Sequence, residues 1–105
     1  MDDSLFDDPD PAVRGAADLF LHEVATLHTQ EVGTWLGTSR EWPEAWRRSS
    51  EISDFTLRLT PEQAHELNQK VHELIESYRD STPRPESEDV AQVRMHLHSF
   101  PRATG

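Results

Sequence analysis

The sequence predicts an α+β fold: a long N-terminal helix, a short helix, then strand, helix and strand, with the sheet completed or covered by dimerisation. Three observations predict it. Apolar residues recur at 4-3-4-3 spacing through Val13, Ala17, Phe20, Val24 and Leu27, which is one face of a helix. Two segments, Phe55 to Leu59 and Val93 to Phe100, alternate apolar and polar side chains as half-buried strands do. Between them, Thr60-Pro61-Glu62-Gln63 spells a capping box that opens a second long helix.

Taken in order, Met1 to Pro9 is acidic and turn-like, a flexible lead-in. Asp10 can cap the first helix, with Pro11 at its first position, where a missing N–H costs nothing. The apolar pattern carries this helix to about Leu36, with Gly37 as the stop. A turn from Thr38 leads into a short helical piece that sets Trp42 and Trp46 one turn apart. In the first strand Phe55, Leu57 and Leu59 point inward and Thr56 and Arg58 outward. The helix from Pro61 keeps Ala64, Leu67, Val71, Leu74, Ile75 and Tyr78 on one side, ends near Arg79, and pairs Glu66 with Lys70 at i,i+4. Asp80 to Asp89, with Pro83 and Pro85, is a polar connector. The second strand turns Val93, Met95 and Leu97 inward and Arg94, His96, His98 and Phe100 outward, and Pro101 ends it. The organisation is a lead-in over 1–9, one domain over 10–102 and a tail over 103–105.

Composition narrows the function. With 34% hydrophobic and 29% charged residues in 105, the chain has material for only a thin core, so a partner chain is expected to supply burial. Twenty acidic against ten basic residues, a net charge of -10, would repel a nucleic-acid backbone, so no direct nucleic-acid binding is expected. No run approaches the ~18 apolar residues a membrane span needs, and the absence of cysteine fits a reducing, cytoplasmic setting.

The first helix carries the strongest functional hint. Leu19 lies to one side of the Phe20 line and Leu21, His28 and Val32 to the other, leaving only a narrow polar strip around Arg14, Asp18, His22 and Thr29. A helix apolar over so much of its circumference has two sides to bury and one small core to bury them in. Leu19, Phe20, Leu21, Val24, Leu27, Val32 and Trp35 are therefore the expected homodimer interface.

Several runs also resemble a known family. Trp46-Arg47, the stretch Ser53-Asp54-Phe55-Thr56-Leu57-Arg58-Leu59-Thr60-Pro61-Glu62-Gln63, the helix ending Tyr78-Arg79-Asp80, and His98-Ser99-Phe100-Pro101-Arg102 are similar to the C-terminal region of actinobacterial ArsR-type winged helix-turn-helix transcription regulators. Asp7-Asp8-Pro9-Asp10-Pro11 resembles the segment leading out of their DNA-binding domain. The resemblance spans about Asp7 to Arg102. It implies a dimerisation or effector-sensing module of a transcription regulator. This sequence departs from the family in showing no helix-turn-helix or basic recognition helix, so no DNA-binding residue carries over.

Other sites weigh less. Trp35, Trp42, Trp46, Phe55 and Phe100 could line an aromatic pocket for a small apolar effector, which makes a small-molecule binding protein the alternative function. His96 and His98, two apart on one strand face, are weak metal candidates needing a third ligand such as His22, His28 or a carboxylate; no metal and no cofactor is expected. No nucleophile elbow, acid-base pair or phosphate-cradling glycine loop is present, so no enzyme activity is expected.

Overall fold

The computed structural model describes residues 3–79 and 89–103. It divides into two units, Met1–Ser53 and Asp54–Gly105. Every regular element among the described residues is helical, which corrects the α+β expectation: no strand and no sheet forms there.

In the first unit, a short 3₁₀ helix, Asp3–Asp7, stands where the sequence suggests only a lead-in, and it packs on α1, Pro11–Thr38. The junction is tied by the side chains the acidic run provides. The Asp10 carboxylate accepts from the Ala12 amide at 2.9 Å, the Asp10 amide donates to Asp8 Oδ1 at 2.8 Å, and Arg14 Nη1 donates back to the Asp8 carbonyl at 2.9 Å. These aspartates also sit where the partial positive charge of the α1 N-terminus favours them. Replacing Asp10 by alanine should cost about 1 kcal/mol of helix stability, seen as faster amide exchange at Ala12 to Arg14 with the middle of α1 unchanged.

Helix α1 runs through the expected stop at Gly37 to Thr38, because Gly37 keeps right-handed helical backbone and no left-handed cap forms. Its threonines tolerate the helix by turning inward on the backbone: Thr26, Thr29 and Thr38 each donate a hydroxyl to the carbonyl four residues earlier, at 2.7 to 3.0 Å. A 3₁₀ turn, Ser39–Glu41, then leads to α2, Glu44–Arg48.

In the second unit the capping box at α3, Pro61–Arg79, is made as spelled. The Thr60 amide donates to Gln63 Oε1 at 3.0 Å and the Gln63 amide donates to Thr60 Oγ1 at 3.2 Å. Glu66 and Lys70 pair at 2.9 Å. Their hydrogen bond and opposite charges hold the Glu66 carboxyl below its ordinary value and raise the Lys70 ammonium above its own. The pair thus supports α3 between the ordinary carboxylate and lysine ranges, and that support fades in acid as Glu66 protonates and in strong base as Lys70 loses its proton.

The two expected strands are irregular chain. Phe55, Leu57 and Leu59, expected inward, are exposed, and so are Val93, Met95 and Leu97. His96, expected on the outward face, is the half-buried residue of its segment. Alternation makes a segment fit for a sheet, but a strand exists only where a neighbour accepts its backbone ladder, and neither segment has one here. The proline-containing connector lies mostly outside the described residues.

Burial is sparse throughout. Ala17 is the one buried residue among those described, and half-burial follows one side of α1 through Val13, Val24, His28, Val32 and Trp35. On α3 it follows Ala64, Asn68, Val71 and Ile75.

Candidate functional site

The expected interface residues all fall on α1, but they do not make one strip. At about 100° per residue, Phe20, Val24 and Leu27 share a line, while Leu19 and Leu21 stand to either side of it. Val24, Val32 and Trp35 are half-buried. Phe20 is 51% exposed and Leu27 53%, so those two positions on the line are left open, with Val24 between them half-buried. Leu19 and Leu36 are also exposed, on other sides of the helix.

Charge is scarce along this helix. Its 28 residues include four formally charged side chains, Arg14, Asp18, Glu23 and Glu31, in a chain that is 29% charged. At about 1.5 Å per residue it is ~42 Å long, a rod with an unusually neutral length. Its ends differ. Five aspartates and no base occupy the first ten residues, whereas Arg40, Arg47 and Arg48 stand with Glu41 and Glu44 beyond the C-terminal end. Arg48 is paired to Glu44 at 2.7 Å, while Arg40 and Arg47 are exposed.

An apolar groove opens beside the N-terminal half of α1, lined by Leu5, Ala12, Val13, Ala16, Ala17 and Phe20. Sequence reasoning missed it, because Leu5 and Phe6 lie inside an acidic run. That apolar pair was the available signal, with Ala12 and Ala16 one turn apart to receive it.

The aromatic set divides between the units. Trp35 and Trp42 stand with ring centroids 6.4 Å apart, and Trp42 and Trp46 6.5 Å apart in an edge-to-face arrangement. These three indoles form a ladder that fastens α2 and its preceding turn to the last part of α1, at separations where aromatic pairs attract. Phe55 and Phe100 belong to the second unit and are 83% and 77% exposed.

His96 and His98 are stacked, nearly parallel, with centroids 6.1 Å apart. His22 lies 3.6 Å from Asp18 on α1. Among the described residues no group of three or more His, Asp or Glu side chains is placed to hold a metal ion. Nor is any helix there long and apolar enough to cross a membrane.

No protein-family model, no curated protein and no solved structure matches this chain.

Proposed function

We propose that this chain is a non-catalytic homodimerisation module, acting in the cytoplasm as part of a transcription regulator, with α1 as the surface through which two copies associate. One observation carries the dimerisation reading. A 28-residue helix with four formally charged side chains leaves Phe20 and Leu27 about half exposed, in a chain with one buried residue among those described. Apolar surface of that kind is stable in water when something covers it, and interface centres are depleted of charge in the same way. The regulator context rests on the resemblance of Ser53 to Gln63 and His98 to Arg102 to the C-terminal region of ArsR-type regulators. The cytoplasmic setting rests on the cysteine-free sequence.

Sedimentation equilibrium tests the reading directly. A dimer is expected at micromolar concentration, dissociating on dilution. A monomer that is folded and unchanged in mass across that range would remove it.

A further inference from the structure

The charge asymmetry of the first unit decides how two copies can meet. This step rests on the reading of α1 as an association surface and adds its geometry. We infer that the two α1 helices pair antiparallel about a two-fold axis near the helix middle, close to Val24.

The two ends of α1 are chemically different and stand ~42 Å apart, well beyond the roughly 8 Å screening length at physiological salt. In a parallel pair the aspartates of one copy, Asp7, Asp8 and Asp10 among them, would face their own duplicates within a single helix spacing of about 8–10 Å. No base in the first ten residues relieves that repulsion, and Arg14 is engaged by the backbone carbonyls of Asp8 and Pro9. An antiparallel pair removes the clash. It sets the acidic end of each copy beside the exposed Arg40 and Arg47 of the other. It also opposes the helix dipoles head to tail, which a parallel pair cannot do. Between the ends, the sparsely charged stretch around Phe20, Val24 and Leu27, in which Glu23 is the one formally charged residue, lies against its own two-fold image, as a self-complementary interface requires.

The chain has no cysteine, so a single introduced one takes a spin label at one place only. Ala12 and Thr34 are both exposed and lie on either side of the helix middle. In Ala12→Cys and Thr34→Cys dimers labelled separately, pulsed electron resonance should give separations of about 40 Å and about 30 Å between copies. A dimer with both separations under ~20 Å would mean parallel helices, overturning this arrangement and leaving self-association in place. A chain that stays monomeric both with and without the label would overturn both. A charge exchange gives a second readout that needs no label. Arg40→Glu or Asp7→Arg alone should weaken the dimer several-fold, and the two combined in one chain should restore it. If the double variant is as weak as the sum of its parts, Asp7 of one copy does not meet Arg40 of the other.

Discussion

Replacing Phe20 and Leu27 together by aspartate is expected to convert the dimer to monomer at concentrations where the wild-type chain is fully associated. The size of the effect separates two accounts of α1. In a self-sufficient monomer both positions are about half exposed, and surface substitutions of that kind move stability by roughly 0.5 kcal/mol or less each. In a dimer seam, each substitution forfeits the burial of an apolar side chain that association completes, about 1 kcal/mol, and carries a carboxylate into a desolvated contact. Every change counts twice, once in each copy, so the loss is at least about 3 kcal/mol, or on the order of a hundredfold or more in Kd. Leu36→Asp is the control. Leu36 is 64% exposed and lies on the side of α1 away from Phe20, so its replacement should leave the sedimentation profile almost unchanged. Equal sensitivity at Leu36 would mean that the helix is losing general apolarity rather than a defined contact.

What the sequence made legible follows from the range of each interaction. The starts of α1 and α3 are read correctly because a cap is a bond between residues two or three positions apart. Asp10 to Ala12 and Thr60 to Gln63 close without reference to the rest of the chain. Trp42 and Trp46 are equally close in sequence, and their rings meet although Trp42 is extended and precedes α2 rather than lying on it. Alternation from Phe55 to Leu59 and from Val93 to Phe100 is a different kind of signal, since it states which faces a strand would present and not whether a neighbouring strand exists. More than thirty residues separate those segments, and the ladder that would join them does not form. The same gap affects the site. Trp35, Trp42 and Trp46 lie within one stretch and come together, whereas adding Phe55 and Phe100 required a tertiary arrangement that spacing does not encode. Leu5 illustrates the reverse error. Its acidic neighbours drew the reading toward a lead-in, while its own side chain lines the groove beside Ala12 and Phe20.

Raising the protein concentration a hundredfold is expected to raise the melting temperature by on the order of 5–10 °C. The argument starts from burial. A folded chain offsets its lost conformational entropy chiefly by removing apolar surface from water, and the described residues of this one bury only Ala17 fully. The capped starts of α1 and α3 supply local support of about 1 kcal/mol or less apiece, the solvent-exposed Glu66 to Lys70 pair adds little to that, and isolated helices gain little more from propensity. Most of the free energy of the ordered state must then come from association, so that melting and dissociation are one event. For such a transition a hundredfold change in concentration shifts the balance by RT ln 100, about 2.7 kcal/mol, which the enthalpy scale of two chains this size converts into the stated shift. Thermal scans by circular dichroism from about one to one hundred micromolar measure it. With Phe20 and Leu27 replaced by aspartate, the slope should vanish and the transition should broaden, because only the uncoupled helices remain to melt. A wild-type melting point independent of concentration would show that each protomer holds its fold alone, and the exposed line along α1 would then need another explanation.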